Sequence, residues 1–377
     1  MKKATFIILL LLNSVLFKGA ILSTNSEFSL LTCSEGTDVY SLFGHTAIRV
    51  NNTETKEDYV FNYGLFNFSS KHFIWKFVKG ETYYMLGVQS YESFMFSYQV
   101  EERSVWEQKL NLTPDEKHKL IKILATDYKP ENRTYLYNFL YNNCATKVRD
   151  DLEKTFDIHT YEDTAPPRTF RDILQPYLKH ATWTRFGINL ALGEPLENII
   201  TQREKLFLPL ELMNAYKEKG YAITTLYQAE PQNSKTSFLT PAQVFIVLLI
   251  ILLIRFFKAK DLKNWPLIIV LFITGIGGLI LSFISFFSIH PAVFPNYNIL
   301  ILQPLNILGA FYLIFFKKTG IFFNLYFIYY LIALLIILIV KQATTLPIIL
   351  LTLNVITLLA THIKINRKKK PPEIKTA

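Results

Sequence analysis

The chain is poor in cysteine. Its 377 residues hold two, Cys33 and Cys144, which excludes a disulfide framework and any multi-cysteine zinc site. No glycine-rich phosphate loop and no internal repeat is visible. Asp and Glu are missing from every long apolar run after Pro241, which argues against a proton-coupled transporter. A basic patch interleaved with aromatics is missing as well, so the net charge of +10 does not point to nucleic acid. Much of that excess lies in short segments between apolar runs and at the C-terminus, where Lys and Arg set membrane topology.

The mean hydropathy of +0.22 is too high for an ordinary soluble enzyme. The apolar residues gather at the start of the chain and after about Pro241. Met1-Lys2-Lys3 and the apolar run from Ala4 to Phe17 have the form of a signal peptide over residues 1–23, with a retained N-terminal anchor as the alternative. Either way the next block, 24–227, is expected outside the cytoplasm. It is polar, rich in aromatics and long enough for one globular domain with a real core.

Residues 228–241 read as a polar linker. Roughly five runs long enough to cross a bilayer follow within 242–363. They lie near 243–257, 266–289, 299–316, 322–340 and 346–363. Arg255, Lys258, Lys260 and Lys263 follow the first, Lys317 and Lys318 the third, and Lys364 and Arg367 to Lys370 the fifth. The other side shows only His290 and Lys341. The positive-inside rule then places the basic tail, 364–377, in the cytoplasm. Gln303, Asn306, Asn324, Tyr326, Tyr329 and Tyr330 inside the runs fit helix packing and interfacial aromatics better than a lipid path.

The middle block reads as α+β. Strands are expected over Phe28–Cys33, Gly44–Val50 and Tyr59–Gly64, with a turn at Asn51-Asn52. Thr113-Pro114-Asp115-Glu116 opens a helix, and Arg168 to Leu178 reads as another. The block is organised around Tyr141-Asn142-Asn143-Cys144-Ala145-Thr146. Cys144 opens a helix with Ala145, Val148, Leu152 and Phe156 on one face and Arg149, Asp150, Glu153 and Lys154 facing out. Asn142 or Asn143 is suited to cap it. A thiol at a helix N-terminus is biased toward thiolate and becomes a nucleophile when a base stands beside it. A small buried hydrophobe, or half of a disulfide, fits Cys144 about as well on its context alone. Among the histidines, His72, His118 and His159 fall in loops or a polar helix register. His45 lies on a strand beside Gly44, as a half-buried strand histidine or as the base.

The runs Leu30-Leu31-Thr32-Cys33, Tyr40 to Val50, Phe61-Asn62-Tyr63-Gly64 and Tyr137 to Thr146 together resemble the Lnb N-terminal periplasmic domain family, and Phe207-Leu208-Pro209 matches in order. The resemblance covers about Phe28 to Ala222. Glu197 departs from it, standing where an Asp is expected. The chain order also resembles circularly permuted papain-like folds of the NlpC type, such as lecithin:retinol acyltransferase. The resemblance implies a permuted papain-like α+β domain outside the cytoplasm, followed by an α-helical membrane bundle. It makes Cys144 the nucleophile, His45 the general base and Asn62 the residue orienting His45, with Tyr63 as the alternative. The Cys144 backbone N–H would be an oxyanion donor, with Asn143 and Tyr141 as further oxyanion or substrate contacts. Arg49, Arg168 and Arg171 would touch anionic headgroups, or be ordinary salt-bridge partners.

The function so implied is acyl transfer in bacterial lipoprotein maturation. An acyl chain moves from the diacylglyceryl group of a lipoprotein to its own N-terminal amine and leaves a lyso-form. Partners would be lipoproteins or phospholipids and the inner-membrane bilayer, with no cofactor and no metal. Two rivals stand beside it. One is a Cys/His hydrolase of cell-wall peptides or lipid esters on the same site. The other is a non-enzymatic, membrane-anchored binding domain closed by a Cys33–Cys144 disulfide, which an oxidising compartment permits.

Overall fold

The computed structural model describes residues 25–66, 71–158, 161, 166–230, 239–258, 265–316, 321–340 and 346–368. The expected signal segment, His159 and several of the topology-setting lysines lie outside the described residues.

Seven strands build one antiparallel sheet: β1 Glu27–Cys33, β2 His45–Asn52, β3 Glu57–Leu65, β4 Tyr83–Ser90, β5 Val105–Leu110, β6 Thr134–Leu136 and β7 Thr224–Tyr227. Their spatial order is β6-β4-β3-β2-β1-β5-β7. Among the described residues eight α-helices accompany them: α1 Phe73–Lys79, α2 Tyr91–Val100, α3 Pro114–Asp127, α4 Cys144–Phe156, α5 Phe170–Leu174, α6 Thr182–Ala191, α7 Gln202–Lys205 and α8 Pro209–Glu218. Strand alternation sends Leu30, Ile48, Val50, Phe61 and Tyr63 to one face, where α3, α4 and α8 cover them with Leu120, Leu124, Ala145, Val148, Leu152 and Leu212. Leu31, Cys33, Ala47 and Val60 take the other face, under Phe94, Met95 and Tyr98 of α2. A sheet buried on both faces by helices is the α+β architecture expected for this block.

Local chemistry sets the element ends. The Thr113 hydroxyl accepts from the Glu116 N–H while the Glu116 carboxylate accepts from the Thr113 N–H, a complete capping box at the start of α3. The β2–β3 turn falls after Asn52 rather than on Asn51-Asn52, because the Asn52 side chain accepts from the N–H groups of Glu54 and Thr55. The expected helix over 168–178 is interrupted. α5 stops at Leu174, and a 3₁₀ turn over Pro176–Leu178 follows because Pro176 has no N–H to continue the ladder. Arg149, expected to face out, is buried. Its guanidinium bonds the Asp150 carboxylate and donates to the Arg203 carbonyl.

Among the described residues five further α-helices follow: α9 Pro241–Lys258, α10 Trp265–Phe287, α11 Leu305–Phe316, α12 Ile321–Ile339 and α13 Leu346–Lys368. With the turn before α11 included, each is long and apolar enough to cross a membrane. Asn306 donates to Thr274 at 2.9 Å and accepts from Tyr330 at 3.0 Å, so polar groups of α10, α11 and α12 satisfy one another. Gly275 and Gly278 lie directly against residues 302–307, the close approach that small residues allow between apolar helices. Gln303, Asn306, Tyr326 and Tyr330 thus serve packing, while Asn324 is exposed.

The loop between α10 and α11 seats the sheet domain. Gly193 and Glu194 donate backbone N–H groups to the carbonyls of Ala292 and Pro295, both at 2.8 Å. The Asn296 and Asn298 side chains donate to the carbonyls of Leu190 and Asn189. A further core cluster, with Leu140, Phe170, Phe207 and Leu208, reaches Ala292 of that loop.

Candidate active site

The site forms where β2 and β3 separate. Their ladder runs from Asn52↔Glu57 to Ile48↔Phe61, and His45 to Ala47 have no partner on β3. β1 and β2 stay paired to the end, where Cys33 faces His45. The first residue of α4, Cys144, stands over the opening. Gly64, near the end of β3, marks the meeting point. A Cβ added there would lie 3.6 Å from His45 Cε1 and 3.8 Å from Cys144 Cβ. Its φ of +103° is a conformation that favours glycine, so the backbone calls for Gly64, while a Cβ there would meet both residues at ordinary van der Waals contact. Gly44 turns the chain into β2 with φ +79°, and a Cβ on it would stand 2.7 Å from the Cys33 carbonyl oxygen.

Three backbone N–H groups, of Thr46, Ala145 and Cys144 itself, bond the sulfur and favour its thiolate. Burial of the thiol outweighs them and raises its pKa. The resting group is therefore a thiol. The bias toward thiolate expected from the helix terminus is present and outweighed.

His45 Nε2 lies 2.7 Å from Asn62 Oδ1. An amide oxygen only accepts, so Nε2 carries the proton and Nδ1 keeps its lone pair. Desolvation, opposed by the Asn62 bond and assisted by the Arg103 charge, lowers the His45 pKa to about 4. The imidazole is neutral at physiological pH, the form a general base requires. The Tyr98 ring stacks on it with centroids 6.3 Å apart. The Arg103 guanidinium lies over the Tyr98 ring and donates to Ser34 O and Glu101.

Both cysteines are free, so the proposed Cys33–Cys144 bridge is absent. Cys33 is buried beside Tyr98, and burial pushes its thiol up to about 12. Asn143 is not free to serve as an oxyanion donor. Its Nδ2 donates to Phe139 O and Phe207 O, and its Oδ1 caps α4 by accepting from the Thr146 N–H. Tyr141 is exposed, edge-on to Phe170, with its N–H on Asn138 Oδ1.

Arg49 and Arg171 are engaged in ion pairs of their own. Arg49 pairs with Asp58 at 2.6 Å and Glu107 at 2.8 Å beneath the Tyr91 ring. Arg171 is 4% exposed, bonded to Glu197 and Asn189. The salt-bridge alternative therefore describes both, and Glu197, the departure from the family pattern, is the partner of Arg171. Arg168 is exposed. Among the described residues, no three His, Cys, Asp or Glu side chains gather as a metal site.

Four further residues belong to the site: Thr46 and Gly64, which lie inside the runs that carry the resemblance but have no role implied by it, and Tyr98 and Arg103, which lie outside those runs. Thr46 contributes only its backbone, adjacent to His45, and Gly64 only an absence of side chain. Tyr98 and Arg103 come from α2 and the loop after it, which no sequence pattern ties to His45.

Behind the site Tyr63 Oη lies 2.7 Å from Asp127 Oδ2 and 2.6 Å from Asp151 Oδ2. A phenol has one proton, so two such contacts require a second proton on a carboxyl. Asp151, whose pKa burial raises to about 7, supplies it. A carboxyl whose folded pKa lies above its unfolded value stabilises fully below the unfolded value and loses that contribution as pH rises through the folded one. Asp151→Asn keeps a neutral donor beside Tyr63. The melting temperature of the variant, relative to wild type, is expected to climb between pH 4 and pH 7, by an amount worth up to about 4 kcal/mol. Parallel profiles would show that Asp151 holds no proton.

Comparison with known proteins gives two matches. The family model described as the Lnb N-terminal periplasmic domain matches residues 17–176, and the one described as the Lnb transmembrane domain matches residues 233–370. No curated protein and no solved structure matches the chain. The first match holds Cys144, His45 and Asn62, and the second holds all five apolar helices. The chain is thus a membrane protein of the Lnb family, with an Lnb N-terminal periplasmic domain followed by an Lnb transmembrane domain.

Proposed function

We propose that this protein is an acyltransferase that carries a fatty acyl chain on Cys144 and delivers it to the N-terminal amine of a lipoprotein at the inner membrane. The observation that carries this reading is the convergence of a neutral, Asn62-oriented His45 and a helix-opening Cys144 on Gly64. A Cys–His pair with its histidine fixed by an amide oxygen is the arrangement of thiol acyl transfer. Seating this pair on a membrane bundle suits a substrate whose acyl chains lie in the leaflet.

In this reaction His45 Nδ1 takes the thiol proton as Cys144 Sγ attacks the ester carbonyl carbon of the donor. On this reading the backbone N–H of Cys144, at the N-terminus of α4, is the donor to the developing oxyanion. The C–O bond breaks, and the leaving alkoxide takes the proton back from His45 as the hydroxyl of the lyso product. The acceptor amine then attacks the thioester carbon. His45 takes its proton, the amide forms, and the proton returns to the departing sulfur. Two easier steps replace one difficult exchange.

Mass spectrometry of lipoprotein N-termini tests the substrate. A null host complemented with wild type is expected to show N-acylated lyso-forms, and one complemented with Cys144→Ala is expected to lack them. Free fatty acid in place of N-acylated termini would make the protein a hydrolase and overturn the reading.

Asn62 acts through His45. Asn62→Ala is expected to lower kcat on the order of 10²-fold, part of what a general base contributes, with KM little changed. Because the Asn62 bond raises the His45 pKa, its loss moves the acid limb of the pH profile further down. A variant with reduced rate but an unmoved limb would mean that Asn62 serves packing alone.

A further inference from the structure

α1 does not fit a water-facing surface. None of its residues is buried, and Ile74, Trp75 and Phe77 are 77%, 54% and 43% exposed. At helical spacing Phe73, Phe77, Ile74, Val78 and Trp75 sweep a broad arc, and Lys76 and Lys79 fill the remainder. Seven residues are far too few to span a bilayer but enough to lie at its surface.

Its position agrees. The Trp75 ring lies 4.8 Å from Phe283, one turn before α10 ends. The Ile289 N–H donates to Lys79 O at 2.9 Å, and His290 Nε2 is 2.8 Å from Phe77 O. α1 therefore stands at the end of a membrane span that carries the sheet domain, the level at which hydrocarbon gives way to headgroups. The apolar surface of α10 is exposed up to Phe286 and Phe287, and α1 continues it. A ring with one polar edge, and lysines with long apolar stems, are the side chains that this depth favours.

We propose that α1 is an interfacial helix lying in the leaflet on the periplasmic side, with Ile74, Trp75 and Phe77 in contact with lipid and Lys76 at the headgroups. Behind it the rings run Phe77, Phe73, Phe66, Tyr84 and Tyr137, with centroid spacings between 4.1 and 6.3 Å. Tyr84 and Tyr137 belong to the same core cluster as Cys144. On the acyl-transfer reading, this apolar row receives an acyl chain that leaves the leaflet at α1.

Fluorescence quenching by brominated lipids tests the placement without reference to any reaction. The full chain has four tryptophans. In vesicles of phosphatidylcholine and phosphatidylglycerol, a chain keeping only Trp75, the others replaced by Phe, is compared with one keeping only Trp106 of β5. Trp75 is expected to be quenched, more by bromine near the carbonyl end of the acyl chain than near the methyl end, and Trp106 to be unaffected. Trp75 left unquenched, as against water or a protein partner, would overturn the proposal. So would stronger quenching from the methyl end, which marks a deeply inserted segment. If the tryptophan-depleted chain fails to fold, a nitroxide on Ile74→Cys in a Cys144→Ser background reads the same contact. More frequent collision with oxygen than with a water-soluble nickel chelate is expected, and the reverse overturns it. Either result leaves the chemistry of Cys144 to be judged on its own.

Discussion

Cys144→Ala is expected to abolish acyl transfer, by as much as about 10⁶-fold, the scale on which a nucleophile acting as one unit with its base is lost. No other described group can take over. Cys33, the second thiol, is buried on the face of the sheet under α2, and its pKa is pushed up to about 12. Ala also fits the space, because Cys144 only borders the core while Ala145 and Val148 make the packing contacts of α4. The cap of α4 comes from Asn143 and Thr146 and stays intact. The melting temperature should therefore barely move while product formation stops. A variant that retains a tenth of wild-type turnover would remove Cys144 from the mechanism.

His45→Ala carries the second-largest expected effect, a fall of roughly 10²–10⁴-fold in kcat/KM, the contribution of a positioned general base. The loss depends on pH in a defined direction. A neutral base with pKa near 4 keeps the wild-type enzyme competent until the pH falls through that value. Below it the ring is protonated and cannot take the thiol proton. The acid limb near pH 4 should therefore disappear from the variant, leaving a rate that rises with pH as water or hydroxide removes the proton from the buried thiol. The same ring affects stability. Its folded pKa lies below the unfolded 6.5, so its contribution is complete above 6.5 and is lost as pH falls toward 4. A variant whose profile keeps the wild-type acid limb would assign that limb to another group.

The large features were legible because they follow from periodicity and composition. Alternation in His45–Asn52 and a 3.6-residue apolar period from Ala145 to Phe156 place strand and helix within a residue or two of where they lie. Length and hydropathy suffice for the five apolar helices. The site was less legible, for identifiable reasons. The Asn143 amide faces the carbonyls of Phe139 and Phe207, and Phe207 lies 64 residues further on, a pairing no local pattern encodes. Arg49 and Arg171 have the right charge for headgroups, but their carboxylate partners at Glu107 and Glu197 come together only in the fold. The thiolate bias of a helix terminus is a local property. The burial that outweighs it depends on how the separated ends of β2 and β3 enclose the sulfur. α1 escaped notice because seven residues give too short a window for an apolar pattern to stand out.

The most direct test of the account is intact-protein and peptide mass spectrometry of the full-length protein incubated with its acyl donor and quenched before the acceptor amine is added. The account predicts a fatty acyl adduct on the Cys144 peptide. It should be released by neutral hydroxylamine as a thioester is, consumed when the amine is supplied, and absent from Cys144→Ala. An N-acylated product formed at the wild-type rate, with no acyl group ever found on Cys144, would contradict it.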